Sequence, residues 1–387
     1  MRNVILALAA ILAFGGGAAA FEWKEPPSGL PETFTIGLHA ADTILDGDYA
    51  LAAGAGFNLA VPVRPGLEYN RALLKACAAA KIKAVVWDSR IASWNVGGWE
   101  LHGRALEEYR KSEATAGYVL YDTLLLPPPR APANWWRVRE IGGADPAHFR
   151  YVESVHPSQF PNDGACRDYL RRYFAGCSAY VLYEEAQPFS AAAIKAMKMI
   201  AEESNAAGRV WWRRTLLTDA SPAMLRWQAC SAAAAGAKAV FWLAIRPMTT
   251  GKGEATLLGD DGEPAPCYEA AKAVNARLAA FGPLLMRSMA TTFYTIGDMP
   301  ENVRAPNNSP IASLTSDAER DGFLVGLPNT GDSRYAFIVR KPSDADKPAQ
   351  VQVQLTEGTT ATLVETGQPL AGPLSLLPGE GQLLQIK

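Results

Sequence analysis

Eight short apolar runs recur between residues 34 and 245, and this rhythm constrains the fold more than any other feature of the chain. They cover 34–39, 58–64, 84–88, 117–122, 149–156, 179–184, 210–217 and 239–245. Most are continuous in their apolar character, which is what parallel strands covered on both faces require. Stretches rich in Ala, Leu, Lys and Glu with helical spacing follow six of them, at 69–80, 101–112, 166–174, 191–206, 223–235 and 268–281. The helix signal is weaker after the first and fourth runs. Ser221-Pro222 marks one helix start, with Ser as cap and Pro in the first turn. Strand and helix in strict alternation predict a parallel α/β sheet. Eight units within roughly 250 residues predict its closure into a (β/α)8 TIM barrel.

A doubly wound nucleotide-binding sheet is disfavoured. His39-Ala40-Ala41-Asp42 follows the first run, and the chain contains neither G-x-G-x-x-G nor G-x-x-x-x-G-K-S/T. From Met286 the texture changes to short runs at 291–296, 323–327, 335–340, 349–355, 360–365 and 382–386, separated by Gly, Pro, Asn and Asp. Such spacing predicts a small antiparallel β-sandwich. The expected organisation is therefore a leader at 1–20, a barrel at 21–285 and a β-sandwich at 286–387.

The leader is read from a basic start at Arg2, an apolar core from Val4 to Phe14, and small residues ending at Ala20. This is the pattern of a secretory signal peptide, so a secreted or periplasmic location is expected. No later apolar run is long enough to span a bilayer. The net charge of -2 offers no footprint for nucleic acid. Five dispersed cysteines lack the paired spacing of a zinc site. One bridge is open to them, with Cys166 and Cys177 nearest in sequence, and an odd count leaves at least one thiol unpaired. Neither a metal nor a cofactor is expected.

Four stretches carry a likeness to a known group. They are Gly56-Phe57-Asn58-Leu59 with the run from Leu74 to Asp88; the segment from Tyr109 to Asp122; the segment from Gly259 to Leu278; and Leu377-Pro378-Gly379-Glu380-Gly381-Gln382-Leu383-Leu384. The chain resembles secreted bacterial glycoside hydrolase-like proteins, in which a TIM barrel precedes a C-terminal β-sandwich. The resemblance implies an oligo- or polysaccharide ligand and hydrolysis of glycosidic bonds by two carboxylates at the barrel mouth. In that family the fourth strand ends in Asp-Glu-Pro, and the Glu is the implied proton donor. Here the matching residues are Asp122-Thr123-Leu124. Thr cannot donate a proton near neutrality as a carboxylic acid with a raised pKa can. A barrel that binds a glycan without cutting it is the alternative.

Acids at the C-terminal ends of barrel strands face the working end. Asp122 after the fourth run and Glu184 and Glu185 after the sixth are the candidate catalytic groups. The candidate substrate contacts are His39, Arg64, Asp88, Trp94, Trp99, His156 and Trp242. Each carries a structural alternative. Asp88 precedes Ser89-Arg90 and can close a local ion pair instead. Strand aromatics such as Trp242 are more often core than platform. Asp219, just before Ala220-Ser221-Pro222, reads as a helix cap.

Overall fold

The computed structural model describes residues 32–92, 99–120, 135–152, 157–176, 179–185, 188–216, 221–247, 255–288 and 290–387. The leader at 1–20 lies outside them. Eight parallel strands form one sheet: β1 (Thr35–His39), β2 (Leu59–Val61), β3 (Lys83–Val86), β4 (Thr115–Leu120), β5 (Phe149–Val152), β6 (Ala179–Glu185), β7 (Val210–Leu216) and β8 (Ala239–Ala244). Their order is β5-β4-β3-β2-β1-β8-β7-β6, and the two edge strands lie against each other. The sheet thus curls into the expected (β/α)8 barrel.

Helices α1 (Asp46–Gly54), α2 (Leu67–Ala80), α3 (Ser89–Ala92), α4 (Trp99–Tyr109), α5 (Trp135–Ala144), α6 (Asp163–Gly176), α7 (Ala191–Ala207), α8 (Pro222–Ala234) and α9 (Tyr268–Arg287) clothe it. The two helices with weak signals, α1 and α5, are present. Each contains two glycines, which lower helix propensity and explain the faint pattern. Ser221 caps α8 by accepting from the Met224 N–H at 3.4 Å, while Asp219 lies outside the described residues. None of the helices is long and apolar enough to cross a membrane among the described residues. Cys166 is buried and carries a free thiol, so it forms no bridge; Cys177 lies outside the described residues.

The lumen is plugged rather than open. Leu59, Val61, Val85, Val119, Phe149, Trp212 and Phe241 form one buried cluster inside the sheet. Phe149 meets Trp212 edge-on at 4.8 Å between ring centroids, and Trp212 tilts against Phe241 at 5.7 Å. Gly37 on β1 makes room for them, since a Cβ there would sit 1.8 Å from the Phe241 ring. Any chemistry therefore has to happen above this plug, at the C-terminal ends of the strands.

Beyond α9 the chain forms β9 (Ala290–Gly297), β10 (Ile311–Ser316), β11 (Gly322–Asn329), β12 (Arg334–Arg340), β13 (Ala349–Leu355), β14 (Ala361–Leu363), β15 (Leu374–Leu376) and β16 (Gly381–Ile386). They make two antiparallel sheets, β10-β13-β15 and β14-β16-β12-β11-β9. The five-stranded sheet packs on α8 of the barrel. Gly326 on β11 permits that approach, because a Cβ would lie 1.9 Å from the Ala234 carbonyl oxygen. Arg277 on α9 then ties the two layers, bonding Glu365 at 2.7 Å and Gln382 at 2.8 Å and pairing with Glu380.

Candidate active site at the barrel mouth

Strand alternation decides which residue reaches the mouth. On β1, Gly37 faces the lumen, so His39, two residues on, faces it as well. On β7, Trp212 is in the plug, so Arg214 stands one layer higher. The two meet. Arg214 Nη2 lies 3.3 Å from His39 Nδ1, although 175 residues separate them and β8 lies between their strands. Side chains from alternate strands share a layer in such barrels, and this pair belongs to the uppermost described one.

His39 is fully buried, and burial together with the Arg214 charge holds its pKa well below the ordinary imidazole value. The ring is therefore neutral at physiological pH. Since Arg214 can only donate, Nδ1 must accept, and the ring proton sits on Nε2. That N–H has no hydrogen-bond partner among the described residues. An unanswered donor at such a place costs about 1–3 kcal/mol and is an opening for a ligand acceptor.

Two further ionic groups frame the mouth. Arg246, just past β8, clamps Asp48 of α1 through Nε at 2.5 Å and Nη2 at 2.8 Å, and donates to the Asp260 carbonyl at 2.9 Å. Arg64, beyond β2, is exposed, with its guanidinium 4.8 Å from the Tyr69 ring centroid. The Tyr69 hydroxyl in turn donates to the Ala41 carbonyl at 2.8 Å, fixing the loop that leaves His39.

The candidate acids divide. Glu184 and Glu185 end β6, whose register sets Tyr183 beside Arg214, Glu184 beside Thr215 and Glu185 beside Leu216. Position 185 is thus in phase with Tyr183 and Arg214, and position 184 is out of phase with them. Asp122, Thr123, Trp94 and His156 lie outside the described residues. Trp99 opens α4.

Two expected substrate contacts are corrected. Trp87 packs on the lumen plug, so its neighbour Asp88 turns outward to the helices. There it is 2% exposed, pairs with Arg90 Nη2 at 2.7 Å, accepts from the Arg90 amide at 2.8 Å and bonds the Tyr109 hydroxyl. Burial pushes its pKa up, but the bonds from Arg90 and Tyr109 and the Arg90 charge outweigh that and hold it below the ordinary carboxylate value. This is the local ion pair, not a sugar contact. Trp242 sits at a register shift between β8 and β1, is fully buried, and packs 5.9 Å from Phe57 in the core between sheet and helices. It offers no platform.

Sequence reasoning missed a structural feature beside the candidate acids. Arg213 is fully buried, faces α8, and donates to Ser231 Oγ at 2.8 Å. Arg213 and Trp227 both reach the Pro188 carbonyl, at 3.4 and 3.0 Å, three residues past Glu185. The signal was the Trp-Trp-Arg-Arg run of β7, in which neighbours must face opposite ways.

No protein-family profile matches the chain, and no curated protein matches its sequence. Among solved structures it is similar to xylanase 10B from Thermotoga maritima at 11% identity, covering 64% of this chain and 96% of that one with a TM-score of 0.46. A family 51 α-L-arabinofuranosidase from Bifidobacterium longum is similar at 10% identity over 94% of this chain and 97% of that one, TM-score 0.46. An endo-1,4-β-mannanase from Rhizomucor miehei is similar at 12% identity over 67% and 99%, TM-score 0.45. The strand order itself defines the class: a (β/α)8 barrel with a β-sandwich appended, as the sequence resemblance implies.

Proposed function

We propose that the chain is an exported carbohydrate-active protein that takes an oligo- or polysaccharide at its barrel mouth and hydrolyses a glycosidic bond there. The register of β6 on β7 carries the reading, because it sets position 185 in phase with Arg214 at the upper end of the lumen. A carboxylate on the same face as a guanidinium, one layer above it, is favoured in its ionised form, as a nucleophile or base must be. Asp122 at the end of the fourth strand then serves as the proton donor. Separation of the two carboxyl groups by about 5–5.5 Å gives retention, and about 6.5–9.5 Å gives inversion. The neutral His39 donates from Nε2 to a sugar hydroxyl, and Arg64 at the rim stacks or bonds along the chain.

Thr123 favours a second reading, since it occupies the place of the family's acid. On that reading the same mouth binds glycan without turnover. Purified protein assayed on aryl glycosides and polysaccharides, with binding followed by calorimetry, separates the two. Hydrolysis should fall about 10²–10⁴-fold in Glu185→Gln and Asp122→Asn, and much less in Glu184→Gln. Binding with no turnover selects the second reading, and activity unchanged in all three variants removes the site. Export is tested by whether the mature chain begins near Phe21.

A further inference from the structure

A polar cavity opens at the end of the barrel opposite its mouth. A space of about 620 Å³ opens at the first residues of β3, β4 and β5, lined in part by Lys83, Arg110, Lys111, Glu113, Thr115 and His148. That volume lies within the ~300–1,000 Å³ of ordinary small-molecule sites. This end of a barrel usually serves stability alone. Here it holds an oriented imidazole.

His148 Nδ1 lies 2.8 Å from Asp145 Oδ2 and 2.9 Å from Oδ1. Asp145 is only 4% exposed and also accepts from the Tyr118 hydroxyl of β4 at 2.6 Å, so the carboxylate is fixed behind the ring. Arg150 braces the turn from beneath, donating through Nη1 to the Asp145 carbonyl at 3.2 Å. Nδ1 is committed to the carboxylate, and His148 lines the cavity, so Nε2 is the ring nitrogen left for a ligand.

The charges around the ring differ in how occupied they are. Lys83 already donates to the Glu113 carbonyl. Arg110 and Lys111 are exposed, and the one ion pair either makes among the described residues is Arg110 with Glu107 at 3.5 Å. We propose that this basal cavity binds a small molecule through a single phosphate or carboxylate group, with Arg110 and Lys111 supplying charge and His148 Nε2 a directed hydrogen bond. Glu113 and Glu32 also line the cavity and repel a second negative charge. The rest of the ligand is therefore neutral, and hydroxyls on it can donate to these carboxylates, as in a sugar phosphate or a sugar acid.

Titration calorimetry on the full chain tests this with glucose phosphate, glucuronate, inorganic phosphate and glucose. Glucose phosphate or glucuronate should bind at least about tenfold more tightly than neutral glucose, and the tighter of the two identifies the anionic group. Either should also exceed inorganic phosphate; equal affinity overturns the hydroxyl-bearing body. Arg110→Gln with Lys111→Gln, both exposed and remote from the core, should lower affinity at least about tenfold with an unchanged circular dichroism spectrum. His148→Gln should lower it as well, and Tyr118→Phe less. Unaltered binding in the double variant, or no binding of either charged sugar up to about 10 mM, overturns the proposal.

Discussion

Two ionic groups on the outer face of the barrel sheet and one pair on its inner face are satisfied to different degrees. On the outer face, Asp88 answers Arg90 and Tyr109, and Arg213 answers Ser231 and the Pro188 carbonyl. On the inner face, His39 meets Arg214 but leaves its Nε2 proton without an acceptor among the described residues. Asp88 and Arg213 are closed into the scaffold by the helices that cover them. The inner pair stands above an aromatic plug, where an incoming ligand is the remaining source of partners. Trp242 Nε1 and Gln228 Oε1 on the helix side also lack partners among the described residues, so what sets His39 apart is an unanswered donor that stands above the plug at the end of the lumen.

The largest test of this contrast is Asp88→Ala. Removing the carboxylate strands a guanidinium and a buried hydroxyl, and breaking such a pair costs about 3–5 kcal/mol. Because the Arg90 side chain keeps 23% of its surface in water, the expected loss is near the lower end, about 3 kcal/mol in urea denaturation. Glycan binding should persist in whatever fraction remains folded. A loss of binding with stability intact would return Asp88 to the site and break the contrast. Asp88 also fixes a sign in acid. Its folded pKa lies below the unfolded one, so its contribution is complete above the ordinary carboxylate range and is lost as pH falls through the folded value.

A second outer group sharpens the contrast through alkaline pH. Lys238, at the start of β8, is fully buried and donates to the Leu285 carbonyl, to the Ser288 carbonyl at 2.8 Å and to Ser288 Oγ at 2.7 Å. It thereby closes the C-terminus of α9 just before the β-sandwich begins. Burial pushes its pKa from 10.5 down to about 7. Between those values the unfolded chain binds more protons than the folded one, so stability should rise with pH by at most about 1.4 kcal/mol per unit. Lys238→Met should abolish that slope. A slope that persists in the variant would show that another group titrates there.

How much of this was legible in the sequence differs by level. The eight strands and the sandwich follow from apolar period and turn residues, because continuous burial on two faces leaves a continuous apolar run. The same continuity hides which way a side chain points. In Ala84-Val85-Val86-Trp87-Asp88 nothing alternates, so the outward turn of Asp88 could not be read. On β8 the register shift against β1 places Trp242 in the core although its neighbours resemble any strand-end aromatics. β10 was missed as well, since Ile311–Ser316 buries only two of its six residues and mixes small polar side chains between them. The meeting of His39 with Arg214 depends on barrel closure, which no local pattern encodes.

The smallest expected effect on stability is the one that tests the inner face most directly. His39→Phe keeps a planar ring in the lumen while deleting both the unanswered Nε2–H and the Nδ1 acceptor. Losing the bond from the charged Arg214 costs about 1.5–3 kcal/mol, and removing a buried donor with no partner returns about 1–3 kcal/mol. The two changes oppose each other, so unfolding free energy should move by less than about 1 kcal/mol. Binding of glycan should instead weaken by about tenfold or more, because the ligand loses a directed donor in a dry environment. The double comparison with Asp88→Ala is the decisive one: the outer residue should carry stability without binding, and the inner one binding without stability. If His39→Phe destabilises as strongly as Asp88→Ala and leaves binding unaltered, His39 is a scaffold residue, and the inner face is no different from the outer.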